Sequence, residues 1–274
     1  MYQPGTTYRI QFHKDFTFSD FETIIPYLHE LGIKTIYASP IFDAVKGSVH
    51  GYDGINPNHI NPEIGTLDQL RKIAAKLKKL GMGWLQDFVP NHMAFTPENE
   101  WLCDYLEKGK MSNYDTFFDK NPDEPLMVPF LGSTLEEALD KQQIKMVYHK
   151  GKLHLKYFDL KYPLNYTGHF DILNHEMFDS LGFEGLRHQI ELLSQIMDKE
   201  RFHLQWSRLL TDMETLLSDS KMGRSFKSGL LKLSHDSALL KKIIDLQFYR
   251  FCYWKDTNSN INYRRFFTVN GLIC

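Results

Sequence analysis

Residues 83–94 read GWLQDFVPNHMA. The first seven, GWLQDFV, combine aromatic and branched side chains, follow the breaker Gly81, and stop at Pro90, which predicts a strand over 83–89. Polar groups collect where that strand ends: Asp87, Asn91 and His92. Just upstream, Thr66 and Gln69 make a capping box, Leu67, Leu70, Ile73, Ala74, Leu77 and Leu80 form one stripe, and Gly81 supplies a stop. These are the marks of a helix. The same order of strand and helix repeats toward the N-terminus. Residues 34–38 (KTIYA) read as a strand that Ser39-Pro40 ends. Before it, Ser19 and Glu22 read as a capping box for a helix carrying Phe21, Ile24, Ile25, Leu28 and Leu31, with Pro26 predicting a bend or a break inside it. Residues 7–12 (TYRIQF) make the first strand. Three βα units in succession predict a parallel sheet in an α/β fold.

Beyond residue 93 the rhythm changes. Pro97, Pro122, Pro125, Pro129 and Pro163 interrupt an aromatic-rich stretch, and Lys150-Gly151 predicts the turn of a hairpin over 145–158. Helical stripes return with Leu186, Ile190, Leu193, Ile196 and Met197, then Phe202, Trp206, Leu209, Leu210, Met213 and Leu217, then Leu239, Leu240, Ile243, Ile244, Phe248 and Phe251. Residues 218–234 are polar and rich in Gly, Ser and Lys, and read as a mobile connection. The chain is thus expected to divide into the first βα units (1–95), an irregular insertion with a hairpin (96–174), a helical subdomain (175–255) and the start of a continuation (256–274).

The 274 residues are 42% hydrophobic and 24% charged, inside the globular range. Thirty-two basic residues against 34 acidic ones leave a net charge of −2, so neither nucleic acid nor an anionic membrane is an expected partner. No apolar run reaches membrane-span length and the N-terminus lacks a secretory pattern, which predicts a cytoplasmic protein. Cys103, Cys252 and Cys274 are odd in number and widely spaced, so reduced thiols are expected and neither a disulfide framework nor a zinc site. No metal and no cofactor are expected.

Nucleotide-loop, zinc-protease and esterase motifs are absent from the sequence. Two polar clusters each follow a predicted strand: His50-Gly51-Tyr52-Asp53, and Asp87 with Asn91 and His92. In parallel βα architectures the C-terminal strand ends form the ligand face, so both clusters belong to one mouth. An aromatic ring beside Asp, Asn and His suits a sugar, which offers apolar C–H faces and hydroxyls that both donate and accept. The same residue types also read as a structural set, with Asp87 and Asn91 tying a strand to its loop and His92 a satisfied histidine.

The segments TYRIQFHKDFTF (7–18), IPYLHELGI (25–33), YASPIF (37–42), GSVHGYD (47–53), INPEIG (60–65), DFVPNHMA (87–94) and INYRRFF (261–267) carry a family likeness. The string Asp87-x-Val89-x-Asn91-His92 resembles the first conserved region of the α-amylase superfamily of glycoside hydrolases. The whole ordered set resembles the maltooligosyl trehalose synthase family, the (1→4)-α-D-glucan 1-α-D-glucosylmutases. The likeness is strong over 7–95 and near 240–272, and weak between.

The resemblance implies the N-terminal part of a (β/α)8 TIM barrel, with about three of its βα units, and a maltooligosaccharide (α-1,4-glucan) as the binding partner. It implies an isomerase of trehalose biosynthesis that turns the reducing-end α-1,4 linkage into an α,α-1,1 linkage by intramolecular transglycosylation, through a retaining two-carboxylate mechanism. Carried over, Tyr52 stacks on the sugar and His92 hydrogen-bonds it, with Asp53 and His50 also at the substrate. Asp87 and Asn91 shape the site. The family's nucleophile Asp and acid/base Glu find no match in this chain and are expected beyond Cys274. The chain alone is therefore expected to be inactive and to need the remainder of its own barrel. A noncatalytic α-glucan-binding or interaction remnant of such a barrel is the competing reading.

Overall fold

The computed structural model describes residues 3–218 and 221–274. Strand β1 (Thr7–Ile10) leads into helix α1 (Phe18–Glu30), strand β2 (Thr35–Ala38), the short strands β3 (Phe42–Ala44) and β4 (Gly54–Ile60), helix α2 (Leu67–Lys79), strand β5 (Gly83–Gln86) and the two-residue strand β6 (Met93–Ala94). β1, β2 and β5 form a parallel sheet in that order, with Arg9 opposite Tyr37 and Tyr37 opposite Leu85. The three parallel strands and the two helices α1 and α2 between them are present where the hydrophobic pattern placed them; among the described residues no helix of the compact unit that holds this sheet follows β5 to complete a third βα unit.

One face of this sheet is covered. Ile10, Ile36 and Ala38 point from it into a core with Phe18, Phe21, Ile25 and Leu28 of α1 and Ile73 and Leu77 of α2. Phe12 organises that core, meeting the Phe18 ring edge-on at 5.1 Å and the Phe21 ring at 5.6 Å, geometries favoured by the ring quadrupole. The two helices are tied together where Lys76 donates to the Glu22 carbonyl at 2.9 Å.

Helix α2 starts at the Thr66–Gln69 capping box and stops before Gly81, whose φ is +67°, as expected. Helix α1 departs from expectation at its start. Its capping box is Thr17 with Asp20, two residues before the Ser19–Glu22 pair, and the Thr17 amide donates to Asp20 Oδ2 at 2.8 Å. Ser19 instead meets Gln69 Nε2 of α2 at 3.1 Å. At Pro26 the helix is retained, as expected, and is not divided into two pieces. Strand β5 is four residues long, against seven expected, because the chain leaves the ladder after the Asp87 amide reaches the Ala38 carbonyl.

The described residues fall into two compact units, one running to Glu100 and regaining Arg265–Cys274, the other Trp101–Arg264. The second unit begins in helix α3 (Glu100–Lys108) and continues through strand β7 (Leu126–Leu131), helix α4 (Leu135–Asp140), strands β8 (Ile144–His149), β9 (Lys152–Tyr157) and β10 (Leu160–Pro163), and helix α5 (Tyr166–Leu173). Regular structure therefore fills much of 96–174, the stretch expected to be irregular. The hairpin lies where it was expected, with Lys150 and Gly151 both at positive φ (49° and 76°) in the tight turn between β8 and β9. Pro163 sits at the end of an edge strand, where no amide is needed.

Helices α6 (Glu184–Leu193), α7 (Lys199–Leu217), α8 (Lys221–Leu233) and α9 (Ser237–Asp245) follow, then strand β11 (Tyr249–Tyr253), paired parallel with β7, and a single turn α10 (Thr257–Asn260). Three expectations are corrected here. Phe251 belongs to a strand and not to the third helical stripe. Met197 lies between helices and is 88% exposed, so it is no part of the α6 core face. Most of the 218–234 stretch is helix and not a mobile connection: Phe226, Leu230 and Leu233 are buried, and Met146 donates its amide to Ser234 Oγ at 2.8 Å. Residues 219 and 220 of that stretch lie outside the described residues.

The chain then returns to the first unit as β12 (Arg265–Phe266) and β13 (Val269–Ile273), which pair with β6 in the order β12-β13-β6. Among the described residues no helix is long and apolar enough to cross a membrane.

Candidate functional site

Strands β3 and β4 form an irregular antiparallel pair whose connection carries Ser48, His50, Gly51, Tyr52 and Asp53. This connection is folded tightly by its own polar groups. Ser48 Oγ accepts the Gly51 amide at 3.1 Å and donates to Asp53 Oδ1 at 2.5 Å. His50 Nδ1 accepts the Tyr52 amide at 3.0 Å and lies 3.7 Å from Asp53 Oδ1. Gly51 has φ +74°, and a Cβ on it would sit 2.7 Å from the Pro40 carbonyl oxygen. Only glycine fits a backbone that passes so close at that angle.

Asp87 arrives from the other side, at the C-terminal end of β5. Because side chains alternate along a strand, Asp87 shares a face with Leu85, hence with its register partner Tyr37 and with Arg9, whereas Ile10, Ile36 and Ala38 fill the helix-covered face. Leu85 on this second face is 48% exposed. Asp87 Oδ2 accepts two phenol hydroxyls, from Tyr52 at 2.5 Å and from Tyr37 at 3.2 Å. The hydrogen bond to the Asp87 carboxylate, with a smaller part from burial, raises the Tyr52 pKa above its ordinary value, and the Arg9 guanidinium beside the same hydroxyl opposes that rise. Arg9 also donates to Gln11 Oε1 at 2.9 Å and lies 5.9 Å from the Tyr37 ring centroid.

His92 closes the arrangement. It is 7% exposed, and its ring stacks on Phe266 of β12 with centroids 4.1 Å apart. Its Nε2 is 2.9 Å from the Tyr52 carbonyl oxygen, which can only accept, so Nε2 carries a proton. Its Nδ1 lies 3.0 Å from Asn91 Oδ1; with the proton on Nε2, Nδ1 accepts, so the Asn91 amide is turned to donate through its NH₂. Asn91 thus orients the imidazole, and the imidazole holds the main chain that presents the Tyr52 ring.

Tyr52, Asp87, Asn91 and His92 therefore form one connected network, with His50 and Asp53 in the adjoining turn. Sequence reasoning missed Tyr37, Arg9 and Ser48. The first two were within reach of strand alternation, because their register places them beside Asp87; Ser48 needed the turn itself. Chemically this is a positioning net: its carboxylates, Asp87 and Asp53, are tied to hydroxyl donors, while the Tyr52 ring stays part-exposed and His50 keeps an Nε2–H donor. Among the described residues no group of three or more His, Cys, Asp or Glu side chains is placed to hold a metal ion.

Comparison with known proteins gives this geometry its family. The α-amylase catalytic domain matches residues 21–183, more than half of the chain. A Mycobacterium tuberculosis relative assigned as a maltooligosyl trehalose synthase is 40% identical over 143 residues, covering 48% of this chain and 19% of that protein. Among solved structures, a glycosyltrehalose synthase from strain DSM5389 superposes with a TM-score of 0.69 at 31% identity, over 98% of this chain and 29% of its own. A maltooligosyl trehalose synthase does so at 0.68 and 28% identity, over 99% and 28%. The chain spans about a fifth of the length of the curated relative and under a third of each solved one. It belongs to the α-amylase catalytic-domain family, and its likeness within that family is to maltooligosyl trehalose synthases.

Proposed function

We propose that this chain is the N-terminal part of a maltooligosyl trehalose synthase, contributing sugar-positioning groups to an active site whose nucleophile and acid/base lie outside residues 1–274. The observation that carries this reading is the Tyr52–Asp87–His92 network at the C-terminal ends of parallel strands, in a chain that superposes almost end to end on two such synthases. β1, β2 and β5 are then the first three strands of an eight-stranded barrel, and Leu85 faces the interior that further strands fill.

In this site the Tyr52 ring is the face on which a glucose unit of a maltooligosaccharide packs, and Asp87 fixes its hydroxyl edge. Asn91 and His92 set the height of that ring by holding its main chain, and for His92 to donate to a sugar hydroxyl its Nε2–H must leave or share the Tyr52 carbonyl. His50 supplies a donor at the rim. Catalysis follows the retaining route, in which a glycosyl-enzyme intermediate is intercepted by the released glucose unit and not by water.

The test assays maltopentaose with the 274-residue chain alone and with the chain completed by the C-terminal part of a relative, scoring trehalose-ended product and reducing sugar. Product is expected from the completed enzyme only. Turnover by the chain alone overturns the placement of the carboxylates, and a completed, folded enzyme that binds maltopentaose without converting it favours the noncatalytic glucan-binding reading.

A further inference from the structure

The chain leaves β1 through Gln11, a residue to which the sugar-positioning network gives no part. Alternation puts Gln11 on the face of Arg9, opposite Ile10 and Phe12, which belong to the helix-covered core. The ladder continues past the strand ends, because the Ser39 amide donates to the Ile10 carbonyl and the Asp87 amide to the Ala38 carbonyl, both at 2.9 Å. Gln11 and Asp87 therefore stand two strands apart in one row. That row lies at the C-terminal edge of the sheet, on the face that carries Tyr37 and Leu85.

Both residues hold the connection between β3 and β4. Asp87 holds it by the Tyr52 hydroxyl, and Gln11 Nε2 donates to the Val49 carbonyl oxygen at 2.8 Å. Val49 is 53% exposed, so packing does little to fix the chain at this point and the bond to its main chain is what fixes it. That bond has one sense. The Val49 carbonyl only accepts, so the Gln11 NH₂ faces it, and Oε1 is left to accept from Arg9 Nη1 at 2.9 Å. Arg9 only donates, which locks this orientation of the amide. Arg9 also lies 5.9 Å from the centre of the Tyr37 ring, whose hydroxyl donates to Asp87. The two ends of the 49–52 segment are thus tied to one network that runs from β1 to β5.

Only His50 and Gly51 lie between the two tied residues. A segment held at both ends over so short a span has little freedom to change the height of the Tyr52 ring, whereas one held only at Tyr52 pivots there. We propose that Gln11, oriented by Arg9, is a positioning residue of the sugar site: through the Val49 carbonyl it holds the connection in the geometry at which the Tyr52 ring meets a glucose unit of the maltooligosaccharide. This rests on the sugar-positioning reading of Tyr52. Gln11 acts through the main chain and touches no reacting atom. Its loss is therefore felt in kcat more than in KM, because a displaced ring still binds sugar but no longer follows it toward the transition state.

The test uses maltopentaose and the chain completed by a relative's C-terminal part. Gln11→Glu keeps the size of the side chain and its bond with Arg9 but has no hydrogen to give the Val49 carbonyl, and Gln11→Met loses both bonds without adding charge. Each should lower kcat by about tenfold while KM changes by about threefold or less, since a small misplacement of a positioned group is felt in the chemical step. In the 274-residue chain, exchange of the Gly51 and Tyr52 amides should quicken several-fold in both variants, with the unfolding midpoint of Gln11→Glu staying at the parent's. Arg9→Lys, which still donates to Oε1, should keep more of kcat than Arg9→Met. The proposal is overturned by normal kcat in both Gln11 variants, by unchanged amide exchange, by a loss confined to Gln11→Glu, which makes the added charge its cause, or by a loss that vanishes once kcat is divided by the folded fraction. Tyr52→Leu measured alongside separates two failures. If it is deficient while the Gln11 variants are normal, only the role of Gln11 falls; if it too is normal per folded molecule, the sugar-positioning reading falls and takes this proposal with it.

Discussion

The Tyr52 hydroxyl donates to Asp87 Oδ2 at 2.5 Å across 35 residues of sequence. This bond joins the tip of an irregular hairpin to the end of a parallel strand, the two places where the sequence concentrates polar groups. It fixes the loop by its side chain, as His92 fixes it by its main chain.

Tyr52→Phe and Asp87→Asn should therefore each cost about 1 kcal/mol of stability, the ordinary worth of a part-exposed hydrogen bond to a charged group. A double-mutant cycle on urea unfolding should give a coupling of similar size. Coupling near zero would mean that the pair is geometric only. The raised Tyr52 pKa sets a sign as well. The folded protein holds the phenol proton more tightly than the unfolded one, so this contribution is whole below about pH 10 and is lost as pH climbs through the folded value. Tyr52→Phe should lose less stability than the parent over that alkaline range.

Gly51→Ala should be costlier than Gly47→Ala. Both glycines have positive φ, +74° and +78°, but a Cβ at Gly47 meets nothing within 4 Å, whereas at Gly51 it lies 2.7 Å from the Pro40 carbonyl oxygen. Left-handed backbone alone costs about 1–2 kcal/mol, and Gly51 adds a backbone clash that no rotamer relieves. Equal unfolding midpoints for the two variants would show that the 48–53 turn is looser than described.

These features separate what the sequence discloses from what only packing decides. The Thr66–Gln69 box and the Lys150–Gly151 turn were legible because each is local, with its chemistry contained in four residues. Ser19 and Glu22 had the right spacing too, yet Thr17 and Asp20 made the cap, because Phe18 and Phe21 must reach Phe12 and so start the helix earlier. Phe251 fitted a helical stripe but sits in a strand that pairs with β7 from more than a hundred residues away. The α8 sequence reads as a connection because Gly223 and Gly229 mark loops more often than helices. Gly229 is there because Phe178 leaves no room for a side chain. At the site, Tyr52, Asp87 and His92 were visible as residue types, but Tyr37 and Arg9 gained meaning only when register set them beside Asp87.

The second unit should be acid-labile through two histidines. Burial lowers His154 to about 4 and His169 to about 3, and His169 is fixed as a neutral ring, with Nδ1 on the Asn165 carbonyl at 2.9 Å and Nε2 facing the Leu153 amide. A depressed pKa means that the unfolded chain takes up the proton first. Stability from these groups is whole above about pH 6.5, declines as pH falls, and for His154 is gone below about 4. The Glu107 carboxyl, raised by its burial, acts in the opposite sense, so the comparison that isolates the histidine is parent against His154→Gln. Urea midpoints measured from pH 7 to 4 should fall less steeply in the variant, and parallel curves would remove His154 from the acid limb.

The last prediction concerns the sugar-positioning role and requires a chain completed by a relative's C-terminal part. If the Tyr52 ring is a stacking face, Tyr52→Phe keeps that face and loses only the bond to Asp87, so kcat/KM should fall by about threefold or less. Tyr52→Leu removes the flat ring and should lower kcat/KM by about tenfold or more, because contact with the sugar tightens as it flattens toward the oxocarbenium-like transition state. His92→Ala is expected to combine two losses. Its stacking on Phe266 and its bond to the Tyr52 carbonyl make it a packed residue, so the unfolding midpoint should drop along with activity. The two contributions separate when kcat/KM is divided by the folded fraction measured on the same preparation. A remaining deficit of about tenfold supports the positioning role. Normal activity per folded molecule in both Tyr52→Leu and His92→Ala would reduce the network to a brace for the hairpin, and the sugar face would have to be sought elsewhere in the barrel.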